Sequence, residues 1–274
     1  MMGYKRDVVA YDSGRLLVAK SFVPLLERNR LTKFKTFMGH PGDAVAKKVL
    51  AERYTLRLEL KVKGKEKKSF FLKRYHHLSG RPPGPLAQAE WDAMWWFHEE
   101  GISGPRPVAL GIARDGAFVL SEGVQSVMKL EKWAEENLTN PSKATSLRIQ
   151  SIKNQLIDEV AEIVGRMHRA GMHHQDLYLC HFLCGSRERG SPLTLIDLQR
   201  VRRPGGGLSF RWRIKDLAQL YFSSQAFVSK EDLSRFWQRY TSVYQHQRSP
   251  GILVFLMVLI KAQRIKRHTE KHGL

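Results

Sequence analysis

Strand patterns crowd the first half of this chain and helical patterns the second, and that division limits the folds open to it. Up to about residue 122, apolar and polar residues alternate in short runs, as in half-buried strands. From about residue 123, apolar residues recur every three or four positions, as in helices. The clearest strand pair is Tyr54-Thr-Leu-Arg-Leu-Glu-Leu-Lys-Val62 with Lys68-Ser-Phe-Phe-Leu-Lys-Arg-Tyr75, joined by the turn Lys63 to Glu66. A candidate strand at Ala44 to Leu50 precedes it, and Val108 to Glu122 reads as further strand. Between them a Pro/Gly-rich break at Gly80 to Pro85 opens a predicted helix from Leu86 to Glu100, which Gly101 stops. Leu86, Glu90, Ala93, Met94 and Phe97 share one face of it, so Glu90 is expected to point inward among apolar neighbours.

Beyond residue 123 the strongest pattern runs from Arg148 to Ala170, where Ile149, Ile152, Leu156, Val160, Ile163, Val164 and Met167 repeat at helical spacing and Gly171 is a natural stop. Further helices are expected at Trp212 to Ser223, Lys230 to Gln245 and Ile252 to Lys266. Two short strands, His181 to Cys184 and Leu193 to Asp197, should pair across the polar turn Gly185 to Pro192. The chain therefore reads as α+β, with a strand-rich part over 1–122 and a mostly helical part over 123–274.

At 274 residues it can bury one large core or two small lobes sharing a cleft. Hydrophobic content of 42% and charged content of 26% favour neither disorder nor a membrane-embedded bundle. The formal charge of +20 draws the chain toward polyanions: nucleic acid, an anionic membrane face or a phosphorylated substrate. Two cysteines, Cys180 and Cys184, are too close together to staple such a fold and suit a reducing compartment. No secretory signal is expected at the N-terminus. The longest apolar run, Ile252 to Ile260, is too short to span a bilayer and reads as a buried C-terminal helix.

In an antiparallel hairpin the entrance of one strand and the exit of the next lie side by side, so Asp176 and Asp197 should converge. Such a pair suits phosphoryl transfer: one carboxylate receives the proton of the attacking hydroxyl while the other holds magnesium on the nucleotide phosphates. A strand lysine, Lys73, can reach phosphates, and Glu90 on the following helix can hold its ammonium.

At these residues the chain resembles a known family. Met167-His-Arg-Ala-Gly-Met-His-His-Gln-Asp-Leu177 looks like the lead into a kinase catalytic loop. His174-Gln-Asp-Leu-Tyr-Leu-Cys-His-Phe-Leu183, followed by Leu195-Ile-Asp-Leu-Gln-Arg200, is similar to the lipopolysaccharide core kinases of the Kdo/WaaP family. Arg213 to Ser224 and Thr55 to Leu60 also look like that family, and the likeness covers roughly residues 45 to 270.

The resemblance implies a bilobal protein-kinase-like fold, with an antiparallel sheet and one main helix in the N-lobe and a mostly helical C-lobe. It implies ATP and Mg2+ as cofactors and phosphorylation of a heptose or Kdo hydroxyl of the lipopolysaccharide inner core. It makes Asp176 the catalytic base, Lys73 the phosphate contact, Glu90 its partner and Asp197 the metal ligand. His181 stands where protein kinases carry a metal-binding asparagine, and Asp216 where an aspartate anchors the catalytic loop. Arg53 and Glu122 join Lys73 as nucleotide contacts.

Three departures bear on this. Only Ala51, Glu52 and Arg53 separate the first two candidate strands, so no Gly-rich loop covers the phosphates and Arg53 carries more of the grip. Gln175 replaces the arginine that docks a phosphorylated activation loop. No Ala-Pro-Glu segment follows Asp197, which favours a small or glycan acceptor over a protein.

The bland alternatives are a solvated Lys73 among Lys67, Lys68 and Arg74, a solvated Glu90, and a small hydrophobic role for Cys184. Zinc at His173, His174, Cys180, His181 and Cys184 is disfavoured because no tight C-x-x-C pair is present. Arg200, Arg202, Arg203, Arg211 and Arg213 suit anionic sugar or lipid headgroups, and Lys261, Arg264, Lys266 and Arg267 suit peripheral attachment to the inner face of the cytoplasmic membrane. Nucleic acid is not the expected partner. A kinase of protein side chains or small metabolites, and an inactive basic scaffold of the same fold, are the competing functions.

Overall fold

A computed structural model describes residues 6–45, 53–62, 64, 66–76, 82–124, 128–140, 142, 145–185, 192–244 and 252–272. The chain divides into two compact units, Met1–Glu99 with Pro105–Val124, and Glu100–Gly104 with Gln125–Leu274. The short excursion at 100–104 has a physical reason. Ser103 accepts the Leu195 N–H through its carbonyl and meets Thr194 through its hydroxyl, which ties that segment to the second unit.

The first unit is a seven-stranded sheet. Its strands are β1 (Val8–Tyr11), β2 (Leu16–Ala19), β3 (Asp43–Ala44), β4 (Arg53–Lys61), β5 (Lys67–His76), β6 (Pro107–Ile112) and β7 (Gly116–Glu122), in the order β1-β2-β6-β7-β5-β4-β3. Every pairing is antiparallel. The β4–β5 register runs from Arg53 opposite Tyr75 to Lys61 opposite Lys67. The rest of the strand expected at Ala44 to Leu50 lies outside the described residues, as do Ala51 and Glu52 and parts of the turns at 63–66, 80–85 and 185–192.

Strand alternation sorts β5 between two faces. Lys73 and Tyr75 project toward α3 (Gly84–Glu99), whereas Phe70, Leu72 and Arg74 project the other way. α3 buries Ala87, Trp91, Ala93, Met94 and Phe97, while Leu86 is exposed and does not share that face as its spacing suggested.

The opposite face is covered by the N-terminal segment, through α1 (Val23–Arg28) and α2 (Phe34–Gly39). Phe37 stacks on Phe118 at 4.4 Å, and Phe22 meets Phe70 edge-on. Arg74 belongs to this side and is not one of a crowd of solvated cations. Its guanidinium is buried and donates to the carbonyls of Phe37 and His40 and to the Tyr54 hydroxyl.

The second unit is helical, with α4 (Leu130–Leu138), α5 (Leu147–Arg169), α6 (Phe210–Ser224), α7 (Lys230–Tyr244) and α8 (Ile252–His272). A small sheet of β8 (Met128–Lys129), β9 (Phe182–Cys184) and β10 (Thr194–Leu195) runs in the order β10-β9-β8. α5 and α7 approach closely at Gly165, where a Cβ would meet Val243 at 2.9 Å and the Tyr240 carbonyl at 3.2 Å. Ion pairs Lys153–Asp232, Arg235–Asp158 and Arg239–Glu162 line the same seam. An apolar cavity lies within this bundle, bounded by Trp133, Leu156, Leu220, Phe227, Phe236 and Phe255.

α8 departs from the sequence expectation of a buried helix. Val254, Val258 and Ala262 are buried, but Leu253, Leu256 and Ile260 are 68%, 48% and 53% exposed, and Met257 is exposed beside them.

The buried guanidinium of Arg74 generates a stability prediction. Arg74→Ala strands two main-chain carbonyls and should cost about 2–3 kcal/mol, whereas Tyr54→Phe removes one outer hydrogen bond and should cost about 1 kcal/mol. Urea unfolding of both variants checks the order, and equal losses would mean that the carbonyls are satisfied otherwise.

Candidate active site

In the first unit, alternation and register bring Lys73 to Glu90. The Lys73 ammonium lies 3.0 Å from Glu90 Oε2 and 3.1 Å from Oε1, with both side chains mostly shielded from solvent. The Tyr75 hydroxyl, two residues along the same face, donates to the same carboxylate. Glu90 is thus held by a cation and a phenol, which leaves little freedom for the lysine to swing away. Arg53 stands opposite Tyr75, and Thr55 opposite Lys73, so Arg53 projects from the same face as Lys73. Glu122 ends β7 and pairs with Arg106 at 3.0 Å.

In the second unit the constellation is built on α6. Asp216 is fully buried and accepts the backbone N–H of His174 at 2.7 Å and of Gln175 at 2.8 Å. One turn on, Gln219 accepts the N–H of Leu177, and a further turn on, Ser223 accepts that of Leu179. Three polar side chains at i, i+3 and i+7 therefore satisfy four main-chain donors of the loop that carries Asp176. Gln175 takes a left-handed backbone (φ +70°), a conformation costly for a residue with a side chain and held here by the Asp216 bond.

Asp216 is supported from behind. His168 meets its Oδ2 through Nε2 at 3.4 Å and meets the Tyr240 hydroxyl through Nδ1 at 2.9 Å. Burial alone would raise the Asp216 pKa, but the His168 hydrogen bond and charge and the His174 N–H outweigh it, and the carboxylate stays below its ordinary range. Burial pushes the Tyr240 phenol up, so it remains a donor.

His174 is buried, and burial lowers its pKa. As a neutral ring it donates from Nε2 to the Ile196 carbonyl at 3.2 Å and accepts the Asp176 N–H at Nδ1. It thereby links the loop to the strand exit before Asp197.

His181 connects the two carboxylate-bearing segments. Its Nδ1 donates to the Asp176 carbonyl at 2.7 Å, and its Nε2 lies 3.9 Å from Asp197 Oδ2. Burial works against its charge, yet Cys180, the Asp176 carbonyl and the Asp197 carboxylate raise its pKa to about 9. That direction favours the protonated ring at neutral pH. Asp197 itself has a left-handed backbone (φ +59°). Among the described residues no three His, Cys, Asp or Glu side chains cluster as a ready-made metal site.

Two cations near Asp176 were not singled out for this place by sequence. Arg200 donates through Nη1 to both Asp176 oxygens, at 2.7 and 2.9 Å. Lys215, one residue before Asp216, lies over the Trp212 ring at 5.1 Å, while Trp212 stacks on His173 at 4.7 Å. Burial, then repulsion from Arg200, lowers its pKa, and Asp176 partly restores it.

The five arginines after Asp197 do not form one anion-binding patch. Arg203 pairs with Glu100, Arg202 bonds main-chain carbonyls, and Arg213 turns inward over Tyr244 at 4.8 Å. The legible signal for the loop's support was the stripe of Asp216, Gln219 and Ser223 on a helix that is otherwise apolar on its buried side. Arg200 stood out only as one of a basic cluster, and Lys215 had no signal, because nothing in the local pattern sets it apart from other cations.

The family model described as Lipopolysaccharide kinase (Kdo/WaaP) family matches residues 47–244. The lipopolysaccharide core heptose(I) kinase WaaP of Escherichia coli K12 is 31% identical over 82% of this chain and 88% of its own length. WaaP of Pseudomonas aeruginosa is 34% identical over 60% of this chain and 62% of its own. A 3-deoxy-D-manno-octulosonic acid kinase of Vibrio vulnificus is 25% identical over 48% of this chain and 50% of its own.

The His181 cation makes folding pH-dependent. Its folded pKa lies above the ordinary 6.5, so its contribution is complete below pH 6.5 and is lost as pH rises toward 9. In metal-free protein the unfolding free energy should fall by about 2 kcal/mol over that interval, and His181→Asn should lack this fall. Parallel pH profiles for the two proteins would exclude His181 as the titrating group.

Proposed function

The chain belongs to the lipopolysaccharide kinase (Kdo/WaaP) family, and from that premise we propose that it transfers the γ-phosphate of ATP to a heptose or Kdo hydroxyl of the lipopolysaccharide inner core. The substrate class follows from the relatives, which are named heptose(I) kinase and 3-deoxy-D-manno-octulosonic acid kinase. The observation that carries the reading on this chain is the four-donor grip of α6 on the Asp176 loop. A base must be held within a few tenths of an ångström of its working position to gain from proximity, and a loop with its main chain satisfied has that rigidity.

Lys73, steadied by Glu90 and Tyr75, neutralises phosphate oxygens of the nucleotide, and Arg53 adds a second cation on that face. Glu122 serves at the end of β7 as a further nucleotide contact. Asp176 accepts the proton of the attacking sugar hydroxyl once the acceptor displaces Arg200 from its oxygens. Released, Arg200 is free to engage the transferring phosphoryl group together with Lys215.

Asp197 would hold magnesium, a hard cation that takes one or two carboxylates and completes its shell with phosphate oxygens and water. Bound there, the ion would screen charge on the phosphates. Its charge would also lower the His181 pKa, and the neutral Nε2 3.9 Å from Asp197 would then be available as a ligand. The acceptor is built at the membrane, and the +20 charge suits peripheral attachment to an anionic inner leaflet. No described helix is long and apolar enough to cross a membrane.

Labelled ATP offered with purified core oligosaccharide and, separately, with generic protein substrates tests the acceptor class; label on protein alone would overturn it. Asp176→Asn should lower kcat by about 10²–10⁴-fold with little change in KM for ATP. Lys215→Met should lower kcat about tenfold. Wild-type turnover in Asp176→Asn would remove that residue as the base.

A further inference from the structure

The outward face of α8 follows one row along the helix. Leu253, Leu256, Met257 and Ile260 stand at i, i+3, i+4 and i+7, and all four are exposed. The same row continues as Arg264, Arg267 and Lys271, also exposed. Apolar and basic residues are therefore segregated lengthwise, with the apolar stretch extending about 10 Å along the axis.

We propose that this face docks on an anionic lipid bilayer, the apolar first half entering the acyl boundary and the basic second half lying among the headgroups. The inference rests on the peripheral attachment proposed above and assigns it to one helix.

Charge decides among the possible occupants. Glu270 is the acidic residue of α8; it lies to one side of the row and pairs with Lys266 at 4.0 Å. A second copy would set this basic row against another molecule of charge +20, which repels it. An acidic protein would satisfy the charges, but protein interfaces place an apolar core inside a polar rim. An anionic bilayer takes both parts, the apolar residues at the acyl boundary and the Lys and Arg heads among the lipid phosphates. Val254, Val258 and Ala262 are buried on the opposite side of α8, and α8 packs on α6, so the docking helix adjoins the one that holds the Asp176 loop. Lys261 of α8 is close enough to act electrostatically on Lys215.

The test is flotation with phosphatidylcholine vesicles, with and without phosphatidylglycerol, in the absence of ATP and acceptor. The wild-type protein should float with the anionic vesicles only, and less at high salt. Leu256→Glu with Ile260→Glu should lower binding about tenfold or more. Arg264→Ala, Arg267→Ala and Lys271→Ala together should remove the preference for phosphatidylglycerol. These side chains point outward, so both variants should keep the wild-type melting temperature and the wild-type rate on lipid-free core oligosaccharide. Wild-type vesicle binding by the Leu256/Ile260 variant overturns the proposal, as does a wild-type protein that ignores vesicles and instead dimerises or captures an acidic protein through α8. Vesicle binding without sugar phosphorylation would sink the kinase reading and leave the docking intact; phosphorylation without vesicle binding would do the reverse.

Discussion

The second unit depends on one buried carboxylate. Asp216 can stay ionised without solvent because two backbone N–H groups and His168 converge on it, and His168 is in turn fixed by Tyr240. Removing any of these partners leaves a charge in a low-dielectric interior. The network therefore couples α5, α6 and α7 to the shape of one loop. The left-handed backbone at Gln175 is tolerated for the same reason, since the N–H that makes the turn is the one that Asp216 accepts.

The first unit solves a different problem with similar means. A lysine on a sheet face must be directed and kept from collapsing into bulk solvent. Strand alternation directs Lys73 toward α3, and Glu90 with Tyr75 holds it there. The neighbouring Arg74, one residue away, projects to the other face and ties down the N-terminal segment instead. Two adjacent cations thus have opposite fates because the period of a strand is two.

The histidines near the loop also divide by environment rather than by type. His174, fully enclosed, is neutral and bridges Asp176 to Ile196. His181, beside Cys180 and Asp197, has its pKa raised to about 9, which favours the protonated ring. A divalent ion at Asp197 would compete with that charge, which links metal occupancy to the protonation of the ring.

Much of this was legible in the residues themselves. The alternation of β4 and β5, the helical repeats of α3 and α5 and the short hairpin of β9 and β10 could be read from the order of residues. These features are local, and local patterns are set by backbone geometry that any sequence reader can apply. What only the tertiary structure decided involves residues far apart in the chain: Arg200 on Asp176, Tyr75 on Glu90, the inward turn of Arg213, and the N-terminal helices on the sheet's second face. The outward turn of Leu253, Leu256 and Ile260 belongs to the same class, since an apolar run does not state which of its faces finds a partner. Burial and charge pairing depend on what arrives from elsewhere in the fold, and that information is not contained in any one segment.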